Sequence, residues 1–167
     1  MDRARALIDL LGLQPHPEGG FYSEVYRSAS AVQPDDPRGP RPALTTIYFL
    51  LRAGEHSALH VVGSDEAWHY YEGAPLELTW CDASFGRVTR ATLGPAGPDA
   101  RPVAVVPAGW WQAARPTGDY TLVGCTVGPG FEFADFRMLR ADAAEAAALR
   151  RTAPGLAPFL AAPQPGG

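Results

Sequence analysis

Apolar residues recur along this chain with two different periods, and the change between them divides the sequence. Residues 4–11 place Leu7, Ile8, Leu10 and Leu11 on one side of a short helix that stops near Gly12. A loop-like stretch follows, Gln14-Pro15-His16-Pro17-Glu18-Gly19-Gly20, and leads into an alternating run at 21–27. Further strand-like runs cover 44–52, 58–62, 67–72, 76–81, 88–93, 103–106 and 120–127. β-Branched and aromatic residues dominate them, and Gly, Pro or Asp stands between them. The Pro/Asp/Gly-rich segment 30–42 predicts an exposed loop, and 94–102 a connection between two strands. A last strand is expected within 131–140, and an Ala-rich helix over 142–151. So many short strands at this spacing predict an all-β fold, a closed antiparallel barrel or a jelly roll, with a short helix at each end. One domain is expected over residues 1–160, with a Pro/Gly-rich tail, 161–167, that is disordered.

Composition narrows the function classes. Apolar residues make up 46% and charged residues 19%, which places the chain among ordinary globular proteins. All fourteen basic residues are Arg, they are scattered, and the net charge is −4, so a nucleic-acid partner is not expected. No apolar run is long enough to span a bilayer, and the first thirteen residues lack the pattern of a signal peptide. A soluble, cytoplasmic protein is the expectation. Cys81 and Cys125 do not form a disulfide framework and, lying in or at the ends of strands, are expected as buried thiols.

The stretch from Gly54 to Gly73 carries the most chemistry. Gly54, His60, Glu66 and Gly73 match the spacing of the first cupin motif, with Val62 where a second histidine belongs. The second motif is matched by Pro107-Ala108-Gly109, with Gln112 at its histidine position, Arg101 at its first glycine and Pro116 at its asparagine. Several phrases resemble one branch, the DUF985 (Cupin_5) family of RmlC-like cupins. They are Pro15-His16-Pro17-Glu18-Gly19-Gly20-Phe21-Tyr22, Thr46-Ile47-Tyr48-Phe49-Leu50-Leu51, Ser64-Asp65-Glu66-Ala67-Trp68-His69-Tyr70-Tyr71, Val106-Pro107-Ala108-Gly109 and the run from Val123 to Phe131. The resemblance implies a cupin double-stranded β-helix and a homodimer that binds a small molecule. It implies no settled activity, because the superfamily spans epimerases, isomerases, dioxygenases and storage proteins.

In cupins the motif His and Glu side chains hold a metal, so the reachable ligand set here is His60, Glu66 and Gln112. One imidazole, one carboxylate and one amide make a poor site for zinc or iron. No cofactor is the first expectation; Fe, Mn, Ni or Zn is the alternative, with His56 assisting. Alternation puts Glu66, Trp68 and Tyr70 on one face of their strand, with Ala67, His69 and Tyr71 on the other. His60 is either a pocket group or a hydrogen-bonded core histidine. Glu66 is either a reacting carboxyl or a structural one bonded to His60 or a tyrosine. His56 shares the parity of His60 and is placed at the barrel mouth; His16 is read as a loop-fixing residue. Of Trp110 and Trp111, one caps the pocket or both pack in the core. Glu18 either reaches a pocket of the partner subunit or ties down an Arg, and the two glycines after it permit a tight backbone path.

Three functions fit these residues. The first is a metal-free isomerase or epimerase of a sugar-like or other small polar metabolite. There His60 is the base, Glu66 orients it, and Tyr48 or Tyr22 is the acid, with Trp68, Tyr70, Trp111, Gln112, Tyr22 and Glu18 contacting substrate. The second is a metal-dependent oxygenase or lyase/cyclase, and the third a non-catalytic ligand-binding barrel.

Overall fold

The computed structural model describes residues 2–164. In chain order the elements are α1 (Arg3–Leu11), β1 (Gln14–Pro15), β2 (Phe21–Arg27), β3 (Ala31–Val32), β4 (Arg41–Pro42), β5 (Thr45–Arg52), β6 (Ser57–Val62), β7 (Asp65–Gly73), β8 (Leu76–Cys81), β9 (Val88–Leu93), β10 (Val103–Val106), β11 (Trp111–Pro116), β12 (Tyr120–Gly128), β13 (Phe136–Met138) and α2 (Ala144–Thr152). Two 3₁₀ helices, Phe133–Asp135 and Pro154–Phe159, flank the last strand and helix.

The strands form two facing antiparallel sheets in the jelly-roll arrangement, one ordered β1-β2-β5-β12-β7-β10 and the other β13-β6-β11-β8-β9. The sheets do not close into one hydrogen-bonded ring, so of the two architectures expected the sandwich-like one is present. Alternation along β5, β7 and β12 turns Phe49, Leu51, Trp68, Val123 and Cys125 inward, where they meet Leu76, Leu78, Leu93 and Ala114 of the opposite sheet.

Each sheet is also covered on part of its outer face. Ala4, Leu7 and Ile8 of α1 pack on Leu50 and Leu122. Their stripe is the i, i+3, i+4 one, which leaves Leu10 exposed, contrary to its expected place beside Leu7 and Ile8. The Asp2 carboxylate accepts the Ala4 N–H (3.0 Å), and Gly12 ends the helix in the left-handed region. On the other side, Leu149, Ala153 and Leu156 cover Leu59, Cys81, Trp111 and Ala113.

Two expectations about irregular segments change. Segment 30–42 carries the small β3–β4 hairpin, and Arg38 and Arg41 tie it to Asp135. The strand expected within 131–140 is only three residues long, because a 3₁₀ turn precedes it. Ala161 is held by backbone bonds to Leu139 and Ala141, while 165–167 of the expected disordered tail lie outside the described residues. Cys81 and Cys125 are buried free thiols, as expected.

Candidate proton-transfer site

Strand register assembles the floor of a cavity between the two sheets. Gln112 on β11 lies opposite His60 on β6, and alternation turns both inward. Glu66 enters from β7. The Trp68 indole donates to Gln112 Oε1 (2.8 Å), and Gln112 Nε2 donates to Glu66 Oε2 (2.6 Å). Because an indole N–H can only donate, this chain fixes which end of the amide faces Glu66.

Glu18 arrives from the loop before β2. Gly19 and Gly20 have φ of 108° and 71°, and a side chain at Gly19 would collide with the His56 carbonyl. The tight path they allow lets the Glu18 carbonyl accept the Ala58 N–H (2.7 Å) and sets its carboxyl inside the cavity. There Ser57 Oγ donates to Glu18 Oε1 (2.8 Å), and Glu18 Oε2 stands 3.3 Å from His60 Nε2. His60 Nδ1 lies 2.7 Å from the Ala58 carbonyl, an acceptor only, so Nδ1 carries the proton and Nε2 presents its lone pair.

Burial sets the charge state. It lifts the Glu18 carboxyl to about 8 and, with the neighbouring Glu18 adding to it, the Glu66 carboxyl to about 7. Burial lowers the His60 imidazole and takes His16 to about 3. At neutral pH the approach of Glu18 to His60 is therefore a long O–H···N contact between neutral groups and not an ion pair. His16 Nδ1, 3.6 Å from the same Glu18 oxygen, forms no ion pair either: it accepts the Glu18 backbone N–H (3.2 Å) and so carries no proton there.

Above this floor the cavity, of about 370 Å³, is walled by aromatic side chains. His16 packs edge-on against Tyr22, Phe49 and Phe136 with centroids 4.6, 5.8 and 5.9 Å away. Phe131, Phe133 and Phe136 pack on one another at 5.0–6.0 Å. Arg41 clamps Asp135, in the middle of this group, through Nε (2.7 Å) and Nη2 (2.8 Å), and Arg38 adds a third bond (3.1 Å).

The structure brings together His60, Glu66, Glu18 and Tyr22 of the expected site. Trp68 and Gln112 are buried beneath them as supports and do not line the cavity. Tyr48 lies on the outer face of its strand near α1, because inward positions on β5 are Thr45, Ile47 and Phe49; of the two tyrosines expected as the acid, Tyr22 lines the cavity and Tyr48 does not. Trp111 faces out beneath the C-terminal segment, with its ring over Phe85 and under Arg137 (4.6 Å). Trp110 precedes β11 and packs at the edge of the central core. Tyr70 points inward but deeper, its hydroxyl bonded to the Gly73 carbonyl (2.6 Å). His56 packs on Phe159 and leaves the mouth, while His69 faces outward. His16 and the three phenylalanines are site residues that the strand pattern does not pick out; the phrase containing His16 was the available signal.

The donor set does not fit a metal. The Gln112 oxygen is taken by Trp68, and among the described residues no three His, Cys, Asp or Glu side chains are placed to hold one ion.

Comparison with known proteins agrees with this architecture. The sequence model of the Cupin superfamily (DUF985) matches residues 5–139. A crystallised protein from Shewanella oneidensis is 35% identical, with 96% of this chain and 98% of that one aligned and a TM-score of 0.82. A hypothetical protein from Leishmania major is 33% identical over 94% and 96% of the two chains, with a TM-score of 0.80. Oxalate decarboxylase from Bacillus subtilis shares the fold alone, at 14% identity, 82% of this chain, 33% of that one and a TM-score of 0.57. Among curated proteins none matches.

Proposed function

The chain belongs to the DUF985 family of the cupin superfamily, and we propose that its cavity binds a small polar metabolite and catalyses proton transfer next to a carbonyl, as isomerases and epimerases do. One observation carries this reading: Nε2 of the 99%-buried His60 stands 3.3 Å from the Glu18 carboxyl inside the cavity, with the Glu66 carboxyl beside them, and burial raises both carboxyls toward neutrality. Such a reaction needs an unprotonated base and a protonated acid on one bound molecule, and burial, by lowering the imidazole, keeps the His60 lone pair free. His60 is the base. Substrate entering between the pair takes the place of the Glu18 contact, and Glu18 then supplies the acidic proton in the role expected of Tyr48 or Tyr22. The Ala58 carbonyl fixes the imidazole tautomer, and Gln112 holds Glu66. The aromatic walls exclude water, which keeps these groups at their shifted values.

The reading predicts deuterium uptake from heavy water into one member of a metabolite panel, seen by NMR. His60→Asn abolishes it, and protein stripped with chelator retains it. Ligand-dependent thermal stabilisation with no exchange in any member makes the barrel a binding module instead.

A second copy of the chain is the partner this reading includes. The outer face of the six-stranded sheet carries Val103, Val105, Tyr71 and Tyr26, each about half exposed, in rows that α1 does not cover. Two such faces packed together bury these side chains. No helix among the described residues is long and apolar enough to cross a membrane.

A further inference from the structure

The cavity has two buried carboxyl groups and a shortage of positive charge. Among the described residues its lining includes one guanidinium, Arg27 at the rim. That group is already committed to Glu24 (2.9 Å) and Glu132 (3.0 Å). Both histidines inside are neutral donors or acceptors. An anionic ligand would thus meet carboxyl groups with no counter-charge. A neutral ligand would leave an ionised Glu66, 93% buried, with the Gln112 amide as donor but no counter-charge. Beside Ile47, Val62 and Val127, the remaining wall holds a cluster of aromatic rings, whose π systems attract cations when water is excluded.

We infer that the cavity takes a small organic cation, an amine or quaternary ammonium, with Glu66 as its counter-ion and Tyr22, Phe131, Phe133 and Phe136 around it. This rests on the cavity being the ligand site and narrows the substrate of the proton-transfer reaction to one that bears a cationic nitrogen. The division of labour is consistent with the bonds present. Gln112 holds Glu66 by Oε2 at the cavity floor, where the carboxyl lines the ligand space, while the His60–Glu18 pair remains available for chemistry.

Charge also gives a linked readout. The groups that face Glu66 are His60 from β6, Cys125 from β12, Gln112 from β11 and Glu18 from the entry loop, with His16 beyond it. None supplies a fixed positive charge. A bound cation therefore favours the ionised carboxylate and expels a proton at neutral pH.

Choline and its uncharged carbon isostere, 3,3-dimethylbutan-1-ol, separate charge from shape. Calorimetry on the full chain at pH 7 in two buffers of different ionisation enthalpy should find choline bound roughly tenfold more tightly than the alcohol, with net proton release. Glu66→Gln should remove the preference for choline and the proton release while leaving alcohol binding. Equal binding of the two, tighter binding of the alcohol or of acetate, or binding of neither to the wild-type protein overturns the inference. Because deuterium exchange into the metabolite panel is read separately, loss of the cation preference does not by itself remove the proton-transfer reading.

Discussion

Gln112 stands where a metal-binding cupin has histidine, and its bonds give that substitution a physical purpose. It receives the Trp68 indole with one end and restrains Glu66 with the other. Gln112→Met, similar in size, strands a buried N–H and a buried carboxyl; the expected loss is about 2–4 kcal/mol, read from denaturant unfolding. The two carboxyls make stability fall with pH. Each keeps in the folded state, up to about 8 for Glu18 and about 7 for Glu66, a proton that the unfolded chain releases near 4.5. Folding therefore takes up protons in that window, and stability is lost as pH rises through it, by at most about 1.4 kcal/mol per pH unit per group. Below about 6.5 the buried His16, at about 3, works the opposite way, since the unfolded chain is the one that binds the proton. The window from about 6.5 to 8 is thus the clean one, and Glu18→Gln should flatten it in thermal melts. At this scale His60 and Glu66 were legible in the sequence, because motif spacing and strand alternation both place them inward. The role of Glu18 was not, since its partner Ser57 is 39 positions away and only the folded chain unites them.

Among the elements, most strands of the two sheets were legible from period-two patterning, though β11, which carries Gln112, was not among those runs. The first helix was legible from its apolar stripe and the second from its alanine content. The short pieces that finish the site were not. Segment 30–42 reads as solvent-exposed, yet its two arginines reach Asp135, whose side chain is only 5% exposed. These bonds fix the 3₁₀ turn that presents Phe133 to the cavity. Asp135→Ala leaves Arg38 and Arg41 without their shared partner. The expected cost is about 3 kcal/mol, and the phenylalanine wall should loosen, seen as faster amide exchange over residues 131–138. The glycine pair acts on the opposite wall. Gly19→Ala collides with the His56 carbonyl and must move the Glu18 loop, so it should reduce proton-transfer activity more than it lowers the melting temperature.

In the whole molecule, α1 and the C-terminal segment each shield one sheet, and the uncovered part of the six-stranded sheet is where the proposed function seats a second copy. Val105→Lys, on the edge strand of that face, should shift the mass in light scattering from dimer to monomer without unfolding the chain. The site lies between the sheets, so its chemistry depends on the fold mainly through desolvation. That dependence is the central claim, and it is open to direct observation. Carbon-13 NMR of protein labelled at the glutamate carboxyl carbons, titrated from acid to alkaline pH, reads each group separately. Two signals should titrate near 7 and 8 and vanish in turn in Glu66→Gln and Glu18→Gln. If both of these glutamates titrate near 4.5 with the exposed ones, the cavity holds two ordinary carboxylates, and the proton-transfer account is wrong.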